Sequence, residues 1–293
     1  MLRPIIIALI TAVLLVASTA STARQLPKQP KLGINPTVNL SCVEKHCVGL
    51  SAECVLDKGC RETVECSSKC FHDWDKDTSP QKFVVQNCTN KCVFTYGEEE
   101  TFKDYMGCLT DNKCISFPPI SSTCKASSVK PVKQLSTKSF DGKWWVQRGY
   151  HKLYDCWPCQ TIELKQINET AWLYTPQYET YLVNNSLTLV TNQHFVIPNT
   201  EPGENISFIY HDMGLVHSEV WWPLDKADDE SWIIMYYCGT TAQWNYEGAM
   251  VMSKIRILDL STYKQIGASY KQAVGLDIND FCFTDTSSDC MNT

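Results

Sequence analysis

Sixteen cysteines in 293 residues, eleven of them between Cys42 and Cys124, constrain this chain more than any other feature. At that density thiols are metal ligands or reactive liabilities in a reducing cytosol, and cross-links in an oxidising compartment. The N-terminus points to the second: Arg3, an apolar run from Ile5 to Ala17 and small residues suited to cleavage after Ala20 or Ala23 read as a signal peptide over residues 1–23. The alternative, a retained membrane anchor, needs roughly 18 or more apolar residues, and this run is shorter. Asn-x-Ser/Thr sites at Asn39, Asn87, Asn168, Asn184 and Asn205 are glycosylation candidates on the same route. A formal charge of −6 with no Lys/Arg run excludes a nucleic-acid partner, because phosphate binding needs a basic face. Most of the cysteines are therefore read as disulfides.

Cysteine density also divides the chain. Residues 24–41 form a lead-in and 42–124 a Cys-rich domain; residues 125–139, polar and without an apolar period, read as a linker to a second domain, 140–293. Cys66 and Cys70 are four apart, as are Cys88 and Cys92, so each pair lies on one face of a helix. If the two helices run antiparallel they are stapled Cys66–Cys92 and Cys70–Cys88. Folding back likewise, Cys42 is expected to pair with Cys60, Cys47 with Cys54, and Cys108 with Cys114. Metal binding is the competing use, but paired CxxC knuckles and histidines at ligand spacing are missing, so no metal site is assigned. A region with so few large apolar residues depends on cross-links for its stability.

From Phe140 the texture changes to short runs rich in Val, Ile, Tyr, Trp and Thr, with strands expected near 143–150, 159–166, 170–183, 186–191, 193–198, 206–212, 215–222, 231–238 and 248–255. Antiparallel strands meeting in sequence suggest a mainly β fold, an up-and-down barrel that encloses a cavity for a small ligand. A helix follows, with Leu260, Tyr263, Ile266, Tyr270 and Val274 at helical spacing to pack on the barrel wall. Cys156-Trp157-Pro158-Cys159 is either a redox dithiol or half of a structural cross-link. A thioredoxin-type dithiol starts a helix after a strand, and here a strand follows.

Phe140-Asp141-Gly142-Lys143-Trp144 matches the Gly-x-Trp signature that opens the first strand of lipocalins, and Phe283-Thr284-Asp285 resembles their Thr-Asp element. Placed behind the ordered cysteines from Cys42 to Cys92, and ahead of a late cysteine, this signature makes the mature chain resemble the violaxanthin de-epoxidase family over nearly all of its length. The resemblance implies an eight-stranded lipocalin-like barrel behind a small disulfide-rich helical domain. It also implies a Cys159–Cys290 bridge, leaving Cys124, Cys156, Cys238 and Cys282 for two more whose partners stay open.

The resemblance further implies chemistry: removal of the epoxide oxygen of a xanthophyll, with ascorbate as co-substrate and no tightly bound cofactor, in an acidified plastid lumen. Extracellular or vacuolar residence is the rival location. Peripheral membrane association at low pH and a homodimer are expected partners beside the apolar ligand. A carboxyl group desolvated inside a barrel stays protonated and can open an epoxide. By position, Tyr154, Asp155, Gln160, Trp221 and Tyr237 match substrate-facing residues of the family. Glu219 stands for its essential aspartate, Asn245 for a later aspartate, His217 for a tyrosine, Ile162 for a histidine and Met252 for a tyrosine. Glu219 is expected to be the acid, with Asp155 raising its pKa by like-charge repulsion and Tyr237 and Gln160 positioning the oxygen; Trp221, Tyr154 and Asn245 contact substrate. His217, near Glu219 on an alternating strand, is assigned to the opposite face, as an exterior or rim histidine. Three functions stay open: a de-epoxidase or an epoxide-rearranging relative, a lipocalin that only binds an apolar ligand, and a secreted disulfide-rich inhibitor or surface protein.

Overall fold

The computed structural model describes residues 37–73, 84–97, 100–116, 124, 128–133, 135, 140–151, 154–168, 171–198, 205–212, 215–241, 245–284, 286 and 290. The expected signal peptide and most of the lead-in lie outside them. Among the described residues no helix is long and apolar enough to cross a membrane. The chain divides into a unit up to residue 119 and a second from residue 120 onward, the span 213–215 excepted.

In the first unit, strand β1 (Thr37–Val38) precedes helices α1 (Leu40–His46), α2 (Val48–Leu56), α3 (Lys58–Asp73), α4 (Val84–Tyr96) and α5 (Glu100–Asp111), and β2 (Ile115–Ser116) ends it. Asn39 caps α1, its side chain accepting from the amide of Cys42 at 3.2 Å. Asp57 precedes α3, and its carboxylate accepts from the amide of Cys60 in the first turn at 2.6 Å. Bridges Cys66–Cys92 and Cys70–Cys88 clamp α3 to α4, as the four-residue spacing requires. The other expected pairings are corrected. Cys42 joins Cys114 rather than Cys60, Cys47 joins Cys108 rather than Cys54, and Cys54 joins Cys60. The reason is β1 pairing with β2, Thr37 opposite Ser116 and Val38 opposite Ile115, which carries Cys114 to the start of α1. The Asn39 amide donates to the Cys114 carbonyl there at 2.8 Å.

The second unit is built on one sheet. Strands β3 (Gly142–Gly149), β4 (Thr161–Gln166), β5 (Trp172–Tyr181), β6 (Leu187–Thr191), β7 (His194–Pro198), β8 (Ile206–Asp212), β9 (Leu215–Lys226), β10 (Trp232–Thr240), β11 (Asn245–Ser253) and β12 (Cys282–Phe283) follow in sequence. The order is β11-β10-β9-β8-β7-β5-β4-β3-β12, with β6 beside β5, and β11 also pairs with β3 from Met250↔Gly149 to Ser253↔Trp145. The sheet thus has ten strands where eight were expected, β6 being a side hairpin and β12 a two-residue strap against β3. Gly142 opens β3 at φ +106°, a left-handed conformation that favours glycine. Two residues on, Trp144 is buried and its indole N–H donates to the Phe140 carbonyl at 2.8 Å.

Alternate residues build the inner face: Trp144 and Val146, Ile162 and Leu164, Trp172 and Tyr174, Ile233, Met235 and Tyr237, Met250 and Met252. Strand β10 is buried on both sides, because Ile234 and Tyr236 pack under helix α6 (Leu260–Val274), which explains its unbroken apolar run. Asp259 caps α6 through the Thr262 amide at 2.8 Å, and Gly275, at φ +75°, ends it. Ile266, Tyr270, Ala273 and Val274 form the buried face, whereas Leu260, expected on it, is 71% exposed. Part of the expected linker belongs to this unit. The Val132 amide donates to the Leu224 carbonyl at 2.8 Å, Leu135 joins the inner core, and Cys124 is bonded to Cys238.

Candidate active site

The loop from Tyr150 to Gln160 between β3 and β4 carries Asp155 and is tied down by two disulfides, Cys156–Cys282 and Cys159–Cys290. The Cys-Trp-Pro-Cys cysteines therefore face different partners, and neither is available as a dithiol. Asp155 is buried. Tyr237 donates its hydroxyl to Oδ1 at 2.7 Å and the His151 amide donates to Oδ2 at 2.9 Å. Burial is the first cause that pushes the Asp155 carboxyl up to about 8, and the nearby Glu219 adds to it.

Glu219, on β9, is 4% exposed. Its Oε1 accepts from the hydroxyls of Tyr210, at 2.9 Å, and Tyr246, and its Oε2 accepts from the Trp221 indole at 2.6 Å. Burial raises its pKa and those three donors pull it back. The expected cause, repulsion by Asp155, is corrected: desolvation raises the Glu219 carboxyl, and the repulsion between the two adds to the rise at Asp155. Among the described residues neither carboxyl has a lysine or arginine partner.

Three glycines make this convergence fit. A Cβ at Gly149 would overlap Asp155, one at Gly248 the Tyr237 ring, and one at Gly239 the Tyr246 ring. Tyr246, on β11, therefore crosses β10 at Gly239 to reach Glu219 on β9; the register sets Gly239 opposite both Tyr246 and Glu219.

Aromatic rings close around the carboxyls. Tyr154, half-buried, stacks on His151 at 4.7 Å and meets Tyr246 at 5.5 Å, while Trp221 packs on Tyr237 at 5.4 Å and on Tyr174 at 5.2 Å. Gln160 is buried and its amide N–H donates to the Tyr154 carbonyl at 3.1 Å. Its Oε1, with Nδ1 of His151, is a buried polar atom lacking a hydrogen-bond partner among the described residues. Such atoms are normally satisfied, so these two are open to a bound polar group. Burial lowers the His151 pKa to about 4, which leaves its ring neutral in ordinary conditions.

Two expectations fail on strand parity. His217 and Glu219 are two apart and share a face, so His217 is 1% exposed and its Nδ1 lies 2.8 Å from the Tyr246 hydroxyl. Asn245 is exposed at the start of β11, and its neighbour Tyr246 is the residue that points inward. Tyr246, Tyr210 and His151 were missed, although counting back in twos from Met252 identifies Tyr246. Of the candidate glycosylation sites, Asn39, Asn168 and Asn184 are exposed and Asn205 is partly so; the Asn87 side chain lies outside the described residues.

The family described as the VDE lipocalin domain matches residues 39–286. The chloroplastic violaxanthin de-epoxidase of Nicotiana tabacum is 25% identical over 84% of this chain and 50% of its own length. That of Arabidopsis thaliana is 22% identical over 84% of this chain and 52% of its own. The chain thus spans about half the length of the curated relatives it matches. Among solved structures, lobster apocrustacyanin A1 superposes with a TM-score of 0.40 at 15% identity, over 55% of this chain and 92% of that one.

Proposed function

This chain belongs to the VDE lipocalin domain family, and from that premise we propose that it removes the epoxide oxygen of a xanthophyll inside the barrel by acid-assisted opening, with ascorbate as reductant. The observation that carries this reading is the pair of buried carboxyls, Asp155 and Glu219, set among aromatic rings without a lysine or arginine partner among the described residues. A general acid in a mildly acidic compartment needs two things: it must keep its proton until the substrate arrives, and its conjugate base must then be stabilised. Desolvation supplies the first. Tyr246, Tyr210 and Trp221 supply the second at Glu219, since all three already donate to its oxygens. Asp155, neutral up to about pH 8, places no negative charge beside the ionising Glu219.

Glu219 protonates the epoxide oxygen and a C–O bond breaks. Ascorbic acid then gives up two electrons and two protons and becomes dehydroascorbate. The oxygen takes a second proton and leaves as water, the carbon–carbon double bond is restored, and the two protons released by the reductant replace the two consumed. Gln160 and Tyr237 orient the oxygen, with Tyr154 and Trp221 against the ring end of the pigment. The relatives are named chloroplastic, and a plastid lumen suits an acid-dependent step.

A second reading, a lipocalin that binds a carotenoid without turnover, draws on Ile162 and Met252. Both are fully buried in the inner core, where the family pattern carries a histidine and a tyrosine. Chromatography of pigment incubated with the oxidised protein and ascorbate at mildly acidic pH separates the two. De-epoxidised product supports the enzyme; saturable quenching of tryptophan fluorescence by violaxanthin without product supports the binder.

A further inference from the structure

A Glu219 that gives up its proton must recover one before the next turnover, and its own hydrogen-bond partners set the route. Tyr246 connects it to a nitrogen base. The Tyr246 hydroxyl reaches Oε1 of Glu219 on one side and lies 2.8 Å from Nδ1 of His217 on the other. His217 is held rigidly for this: it is 1% exposed, stacked on the Tyr210 ring at 4.8 Å and met edge-on by Tyr154 at 6.1 Å. Gly239 keeps the path open, because any side chain there would displace the Tyr246 ring.

We infer that His217 and Tyr246 form a relay that returns a proton to Glu219, an inference that rests on the acid role proposed above for that residue. In one arrangement the Nδ1–H of a protonated His217 donates to the Tyr246 oxygen, and the Tyr246 hydroxyl donates to the Glu219 carboxylate. In the other, the Glu219 acid donates to Tyr246, and Tyr246 donates to a bare Nδ1. The same heavy atoms serve both. Passing from the first to the second breaks the N–H bond at His217 and the old O–H bond at Tyr246, and forms a new O–H bond at Tyr246 and another at Glu219. Two protons each move one place, so one proton passes net from His217 to Glu219 and no electrons change hands. The phenol is a conduit and not a store, since burial and the Glu219 charge hold the Tyr246 proton far above its ordinary range. The groups facing His217 among the described residues include Tyr154 from the β3–β4 loop, Tyr210 of β8 and Tyr246 of β11, with Glu219 on its own strand. His217 and Tyr246 are positioning residues, acting through Glu219.

Two variants separate a relay from a structural role. Tyr246→Phe keeps the ring across Gly239 and removes the hydroxyl; His217→Asn keeps a hydrogen-bond donor to Tyr246 and removes the base. The first readout is the infrared carbonyl band of protonated Glu219, identified by its loss in Glu219→Gln and followed against pH. The relay requires the band to shift in frequency in Tyr246→Phe, and its pH midpoint to move by about one unit in His217→Asn. The second readout is turnover of the xanthophyll epoxide: kcat falls on the order of a hundredfold in both variants, KM stays unchanged, and added imidazole restores kcat in His217→Ala. An unmoved band, or wild-type kcat in both variants, overturns the relay. If wild type itself yields no product, the band alone decides the relay, and the acid reading of Glu219 falls separately.

Discussion

Burial raises both inner carboxyls, and each is held by its own set of donors. Asp155 has a folded-state pKa of about 8 against an ordinary 3.8. Between those values the unfolded chain has released the proton that the folded chain retains, so the folded state binds more protons and stability falls as pH rises from about 4 to about 8. Chemical denaturation across that window should show the decline in wild type and a flatter curve in Asp155→Asn; identical slopes contradict the assignment. Gly239→Ala tests the glycine crossing. It should destabilise by about 1 to 3 kcal/mol, because the Tyr246 ring must leave its place, and the tyrosine-to-carboxyl hydrogen bond should go with it. At this scale the sequence was informative about identity and weaker about direction. Asp155, Gln160, Glu219, Trp221 and Tyr237 are all buried in the inner site. His217 and Asn245 were misplaced because their faces follow from counting along β9 and β11, and the resemblance to relatives does not set that parity for a substituted residue.

Elements were legible where a period repeats. The strands from β3 to β11 and helix α6 lie close to their expected spans, since alternation and helical spacing state which face is buried. Short non-local pairings were not legible. The two-residue strands β1 and β2 carry no pattern of their own, yet their pairing redirects Cys42 to Cys114, against the shorter loops that sequence proximity suggested. Helix α6 is anchored by Tyr270, whose hydroxyl lies 3.0 Å from the Met235 carbonyl and 2.6 Å from that of Met250. Tyr270→Phe should therefore cost about 1 to 3 kcal/mol in equilibrium unfolding, by stranding buried acceptors. No loss would mean that α6 is held by its apolar face alone.

Across the whole molecule all sixteen cysteines are paired, and the two units use their bridges differently. In the helical unit the bridges stand in for a large core; in the barrel unit, Cys156–Cys282 and Cys159–Cys290 hold the loop that presents Asp155. Non-reducing peptide mapping should find Cys42–Cys114 and Cys47–Cys108, and Cys42–Cys60 would contradict the fold of the first unit. Mild reduction that opens Cys156–Cys282 should lower turnover before the barrel unfolds, since removing a native disulfide costs about 2 to 5 kcal/mol and here frees the Asp155 loop first. The central claim is that a buried Glu219 proton opens the epoxide. Its most direct test is the single-turnover rate of oxidised protein on violaxanthin with ascorbate, followed against pH for wild type and Glu219→Gln. The prediction is a rate that rises as pH falls in wild type and is absent in Glu219→Gln, with pigment binding equal in both; a Glu219→Gln variant that converts pigment at the wild-type rate contradicts it.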